Sequence, residues 1–208
     1  MKVEYIDFLV EEPSMETFLR TVLPRLISDV PFAIYSFQSK NEMLKRLPDR
    51  LRGYASWLPE HHRIVVLIDQ DDDDCLGLKQ QLEGFAQKAG LFTRNRRNGH
   101  HFTVINRIVI EELEAWYFGD WSAVCRAYPR VAATIPKQKG FRDPDSIAGG
   151  TWEAFERVLK RAGYFKTGLR KIEAARAVAE HIDPFRNTSS SFQAWRDAIL
   201  ALVDRQPV

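Results

Sequence analysis

Apolar residues fall along the chain in two alternating rhythms. Short, nearly continuous runs at 3–10, 32–37, 64–68 and 102–110 are rich in Val, Ile and Phe and predict four strands. The run Ile64 to Ile68 carries no polar alternation, as expected of a strand buried on both faces of a parallel sheet. Between the runs lies helical spacing. Met15, Phe18, Leu19, Val22, Leu23 and Leu26 follow Pro13-Ser14, a suitable helix start. Cys75, Leu78, Leu82, Phe85 and Ala89 form a second stripe that ends at Gly90, a fitting C-cap. The segment between the second and third strands reads as polar and rich in Lys and Arg, and Glu111 to Trp116 reads as a helix directly after the fourth strand. Strands alternating with helices predict an α/β unit with a mainly parallel, four-stranded sheet.

The pattern changes at Pro129 to Pro144, a stretch with Gly140 and several charges that reads as a linker or exposed loop. Downstream only helical spacing remains. One helix capped by Thr151 carries Trp152, Phe155, Leu159 and Ala162. A second buries Leu169, Ile172, Ala175, Ala179 and Ile182, and a last one carries Phe192, Trp195, Ile199 and Leu202. This tail is too small and amphipathic to stand alone. The expected organisation is therefore an α/β domain over 1–128 with a helical extension over 129–208 packed on it.

Composition narrows the class without naming a function. The 208 residues suffice for a full core, and 45% hydrophobic with 28% charged residues is ordinary for a soluble protein. A net charge of +2 shows no bulk attraction for nucleic acid, though it leaves room for a local basic groove. The cysteines, Cys75 and Cys125, suggest neither a disulfide framework nor a zinc site. No run approaches the ~20 apolar residues of a membrane span, and the N-terminus lacks a secretory pattern, so the expected location is cytoplasmic.

The chemistry concentrates where the third strand ends, in Ile68-Asp69-Gln70-Asp71-Asp72-Asp73-Asp74. Open α/β sheets place ligands at the carboxyl ends of their strands. Two carboxylates ~4 Å apart repel by about 4 kcal/mol at an effective dielectric of ~20, so such a cluster must spread, protonate or bind a cation. Hard oxygen ligands favour magnesium, manganese or calcium. An acidic run can also be a solvated, helix-capping loop. Placement after a buried strand favours the ligand reading for Asp69 and Asp71, which share a side if the chain stays extended. Asp73 joins them or caps the next helix, and Asp72 and Asp74 keep the capping reading.

Glu11 and Glu12 end the first strand, on the same sheet edge as Asp69 if the strands are parallel. A glutamate there ligates metal, acts as acid or base, or favours the helix N-terminus. Glu111 and Glu114, three apart on the expected helix, share a face that excludes Glu112 and either complete a metal site or form an ordinary acidic first turn. Arg94, Arg96 and Arg97 make one basic loop and Lys166, Arg170 and Lys171 a second cluster; both suit nucleic-acid phosphate contact or simple solvation. Adjacent histidines at 61–62 and 100–101 point apart and have no cysteine at zinc-ligand spacing. The tryptophans at 116, 121, 152 and 195 read as core. No phosphate-cradling glycine loop occurs, so the chain is not expected to hydrolyse ATP itself.

Taken together these residues resemble the Toprim fold, the metal-binding domain of topoisomerases and primases. Val10-Glu11-Glu12 is similar to its Val-Glu-Gly element, with Glu12 in place of glycine. Ile68-Asp69-Gln70-Asp71 resembles its Asp-x-Asp motif, and Asp73 the third acid of some members. More closely, the chain looks like a family of small Toprim-like proteins related to the overcoming-lysogenisation-defect nucleases. Val109 to Trp116 is similar to that family's Glu-Ala-Trp signature, and Arg186 to Phe192 to its serine-phenylalanine segment. The likeness covers nearly the whole chain, and motif order and spacing carry most of it.

The resemblance implies a Mg2+- or Mn2+-dependent phosphodiester reaction. In it Glu11 is general acid/base or ligand, Asp69 and Asp71 are metal ligands, and Glu114 matches the extra acid of two-metal nucleases. A catalytic tyrosine domain or nucleotide-binding parts, as in topoisomerases and primases, are not evident, which leaves a nuclease acting on DNA or RNA. It also implies a separately encoded ABC-type ATPase partner and a role in phage defence. The alternative is a catalytically degenerate partner-binding subunit of such an ATPase complex, favoured by Glu12, since glycine lets the backbone approach phosphate. A phosphoacceptor receiver domain ranks lower, because its paired acids follow the first strand. Homo-oligomer formation stays open.

Overall fold

The computed structural model describes residues 2–99 and 101–203. The chain runs β1 (Tyr5–Val10), α1 (Pro13–Leu26), β2 (Phe32–Ser36), α2 (Lys40–Ala55), β3 (His62–Asp69), α3 (Cys75–Lys88), β4 (Val104–Val109), α4 (Leu113–Gly119), α5 (Trp121–Ala127), α6 (Thr151–Arg161), α7 (Lys171–Ala179) and α8 (Ser190–Leu202). The protein is α/β. Its four strands lie in the order β2-β1-β3-β4, every pair parallel, with helices on both faces. This is the sheet that the Toprim resemblance implies.

The unbroken apolar runs exist because the two faces feed two cores. Val65 and Leu67 of β3 face one core, while Ile64, Val66 and Ile68 face the other. Helix α1 packs the first core through Phe18, Leu19, Val22 and Leu23, and α2 and α3 pack the second through Met43, Leu47, Leu51, Leu78 and Leu82. The C-terminal helices share the first core: Phe155 of α6, Ala175 of α7 and Trp195 of α8 are fully buried there beside Trp116. Helix α7 lies along α1, and Arg25 ties them by donating to the carbonyls of Ile182, at 2.7 Å, and Ala179.

Three local expectations give way. The Lys- and Arg-rich segment after β2 is the sixteen-residue α2, whose apolar face of Met43, Leu47, Leu51 and Tyr54 is sparse but fully helical in spacing. Ile172, expected in the core, is 46% exposed, because α7 turns Ala174, Ala175 and Val178 inward instead. Short α5 had no signal of its own. The 129–144 stretch is irregular, with a 3-10 turn at Ile135–Lys137, as its prolines and glycine predict. Among the described residues no helix is long and apolar enough to cross a membrane.

Candidate functional site

Strand order fixes where the site lies. From β1 the chain crosses to β2 on one side, whereas β3 leads to β4 on the other. The carboxyl ends of β1 and β3 therefore flank the point where direction reverses, the ligand crevice of open α/β sheets. Glu11 follows β1 directly and Asp69 ends β3. They touch: the Asp69 backbone N–H donates to Glu11 Oε2 at 3.0 Å.

Beyond Asp69 the chain does not stay extended. Asp71 adopts a left-handed conformation (φ 48°), as does Glu111 (φ 59°) after β4, and the Asp71 N–H donates to the Glu111 carbonyl at 2.9 Å. Left-handed backbone costs a non-glycine residue roughly 1–2 kcal/mol, and such residues cluster at functional sites. The Asp71 carboxylate pairs with Lys40, and the extended conformation on which the shared-side expectation for Asp69 and Asp71 depends is absent. Lys40 Nζ lies 2.7 Å from Asp71 Oδ2 and 2.9 Å from Asp73 Oδ2. Asp74 caps α3, accepting from the Gly77 N–H at 2.7 Å.

The Glu111–Glu114 face also dissolves, because α4 begins only at Leu113. Glu111 sits in the turn near Asp71 and Asp72. Glu114 is fully buried, and neither of its carboxylate oxygens has a hydrogen-bond partner. Glu112 reaches across to the C-terminal region and holds the start of α6, accepting from Trp152 N–H at 2.8 Å and Thr151 Oγ at 3.0 Å. Thr151 is thus the first residue of α6 rather than its cap.

Burial and mutual repulsion disfavour charge on these acids. Burial pushes Glu11 up to about 7, against the pull of the Asp69 N–H. Burial raises Glu114 to about 8, even with Lys171 opposing, and lifts Asp69 well above the carboxylate range, helped by Glu11, Glu12 and Glu114. Two lysines answer. Burial lowers Lys171, but Glu114, Glu12 and Glu112 outweigh it and hold the ammonium above its usual range; its Nζ stands 3.7 Å from Glu12 Oε2. Burial likewise opposes Lys40, and its bonds to Asp71 and Asp73 prevail.

The remaining basic residues are dispersed. Arg94, Arg96 and Arg97 lie in the loop entering β4, where the Arg94 N–H binds the Val104 carbonyl. The partner of Asp69 across the sheet is Val109, so the loop is five residues, roughly 17 Å, from the acids along the strand. Lys166 is exposed, Arg170 pairs with Glu173, and Lys171 faces carboxylates. His61 and His62 sit at the start of β3, away from the acids, and His100 lies outside the described residues.

A cleft of about 900 Å³ opens beside the acids, lined by Asp71, Asp72, Glu111 and Glu112 together with residues 145–150, Trp152 and Glu153. The polar segment after α7 and the start of α8 hold Asp145, one of the lining residues, in place. Asp145 accepts from Ser189 Oγ at 2.7 Å and from the Ser191 N–H at 3.1 Å, and Trp116 Nε1 donates to Ser191 Oγ at 2.9 Å. The Glu-Ala-Trp and serine-phenylalanine segments therefore meet in space.

The donor set fits a hard divalent cation: all carboxylate oxygen, with Asp69 Oδ1 and both oxygens of Glu114 buried and unpartnered. Among the described residues no group of three or more His, Cys, Asp or Glu is already arranged to hold one, and Lys40 engages Asp71 and Asp73. Sequence reasoning missed Lys40 and Glu112, and assigned Lys171 to phosphate contact rather than to the acids it faces. The first was within reach, because every strand-to-helix junction of a parallel sheet, including that of β2, delivers its residues to the same edge.

No curated protein and no solved structure gives a significant match to the chain. The model of a family described as a domain of unknown function, DUF4276, matches residues 10–200, from the last residue of β1 into α8, and so covers every acid of the site. The chain belongs to the DUF4276 family.

Proposed function

We propose that this protein is a divalent-metal-dependent nuclease of Toprim type, a cytoplasmic enzyme hydrolysing phosphodiester bonds in DNA or RNA. Its working partner is a separately encoded ABC-type ATPase, and its setting is phage defence. The observation that carries the reading is the contact of Glu11 with Asp69 at the reversal point of the sheet, beside buried, unpartnered Glu114. Asp69, Asp71 and Glu114, with Asp73 and Glu111 at the rim, are the residues that would hold Mg2+ or Mn2+. The cation would supply Lewis-acid stabilisation of phosphoryl charge and activation of water. Glu11, with a carboxyl at about 7, is poised to give and take a proton near neutral pH. The acidic cleft repels a phosphodiester unless cations offset it, which agrees with a metal requirement.

A second reading, a degenerate partner-binding subunit, draws on the Lys40–Asp71 ion pair and on Glu12. Incubating plasmid, single-stranded DNA and RNA with Mg2+ or Mn2+ separates the two. Metal-dependent cleavage lost in Asp69→Asn supports the nuclease. Inert wild-type protein on all substrates, with and without the ATPase, supports the subunit.

A further inference from the structure

Lys40 opens α2 and places its ammonium against the acid-bearing turn. Its Nζ donates to Gln70 O at 2.8 Å and Asp73 Oδ2 at 2.9 Å, and stands 2.7 Å from Asp71 Oδ2. An ammonium has three donors, so these three oxygens engage all of them. The side chain is only 13% exposed. Gln70 O also receives the Asp73 N–H at 3.1 Å, so lysine and turn brace each other. Nearby, Asp69 is 4% exposed and its Oδ1 has no partner. The acids are thus of two kinds: a pair that shares the chain's own cation, and a buried carboxylate whose Oδ1 has no hydrogen-bond partner.

Resting on the metal-dependent reading of this site, we propose that Lys40 is an internal counter-ion that exchanges with the divalent cation. The cation takes Asp71 and Asp73 from Lys40, and the ammonium is released to solvent. Without such a counter-ion, Asp71 and Asp73 would add their repulsion to that of Glu11 and Asp69 in the metal-free protein. A single ammonium offsets one charge, whereas a divalent cation offsets two. The flexible four-carbon stem of lysine permits withdrawal, which a forked, planar guanidinium bound to the same oxygens would resist. Lys40 is therefore a positioning residue that holds the ligand turn ready and sets the metal concentration at which the site fills.

The test uses the full chain with Mn2+ as probe. Calorimetric titration reads affinity, and acetylation with acetic anhydride followed by mass spectrometry reads the exposure of each lysine. Lys40→Met is expected to tighten Mn2+ binding about tenfold, equivalent to ~1.4 kcal/mol. In wild-type protein, saturating Mn2+ is expected to raise Lys40 acetylation several-fold. The second readout needs no variant and so survives a Lys40→Met protein that fails to fold; it also separates release of the ammonium from a mere change in local field. Mn2+ binding with Lys40 acetylation unchanged, or weaker binding by Lys40→Met, overturns the exchange and leaves the metal reading standing. Folded proteins that bind no Mn2+, wild type and variant alike, overturn both.

Discussion

The backbone N–H that closes β3 at Asp69 is bonded not to another strand but to the carboxylate of Glu11, 3.0 Å away at the end of β1. The bond fixes two candidate ligands from adjacent strands and partly satisfies a carboxylate that burial would otherwise leave costly. Glu11→Gln keeps an acceptor oxygen and removes the charge. It should fold, melt at or above the wild-type temperature without metal, and lose metal-dependent cleavage. Thermal melts beside activity assays check this; a Glu11→Gln protein with wild-type activity would remove Glu11 from proton transfer.

Stability should depend on pH with a definite sign. Glu11 at about 7, Glu114 at about 8 and raised Asp69 keep protons in the folded chain that the unfolded chain has released. The folded state binds more protons, so their contribution is fully present below the unfolded carboxyl values and is lost as pH rises through about 8. Metal-free protein should melt higher at pH 5 than at pH 8.5, and Glu114→Gln should shrink the difference. A melting temperature that rises across this window would contradict the burial of these acids.

Glu112 should matter for stability more than for chemistry. Its two bonds to the first turn of α6, from Thr151 and Trp152, 39 and 40 residues further along the chain, do the work of an N-cap and tie the end of β4 to the C-terminal helices. Losing a cap costs about 0.5–2 kcal/mol, and Glu112→Ala should lower stability in that range. Denaturant titration measures it, and an unchanged midpoint would mean that α6 is held by packing alone.

Gly119 ends α4 where Asn187 packs against it. A Cβ there would meet Asn187 Oδ1 at 2.0 Å and the Ser189 nitrogen at 2.9 Å. Asn187 cannot yield easily, since its Nδ2 binds the Trp116 carbonyl at 2.8 Å and its Oδ1 accepts from Ser189. Overpacking of this kind costs roughly 1–3 kcal/mol, so Gly119→Ala should destabilise by that amount. A melt within half a degree of wild type would show that the segment yields.

Glu111 sits in left-handed backbone that costs a residue with a Cβ roughly 1–2 kcal/mol. Glu111→Gly should recover part of that, raising the melting temperature while weakening Mn2+ binding if Glu111 rims the metal site. Loss of stability on substitution would mean that its side chain holds the turn.

Much of this protein follows from local sequence. Unbroken Val, Ile and Leu runs specify strands buried on both faces. Parallel strands then require helices between them, and the end of each strand marks one shared edge, so Glu11 and Asp69 are legible as residues of one sheet edge; that β1 and β3 are adjacent is decided by the strand order. The polar strip at Lys40–Ala55 hid α2 because only four residues of its face are buried, and Glu111 escaped helical spacing because a left-handed turn intervenes. Tertiary structure alone decided which acid met which cation. Lys171 reads in sequence as part of a basic cluster suited to phosphate contact, and the packing of α7 on α1 brings it instead to Glu12 and the buried acids. Asp71 met Lys40 at a turn where its own φ is positive, which no local pattern announces. Periodicity and strand ends are properties of nearby residues, but the pairing of buried charges depends on which distant segment fills the space beside them.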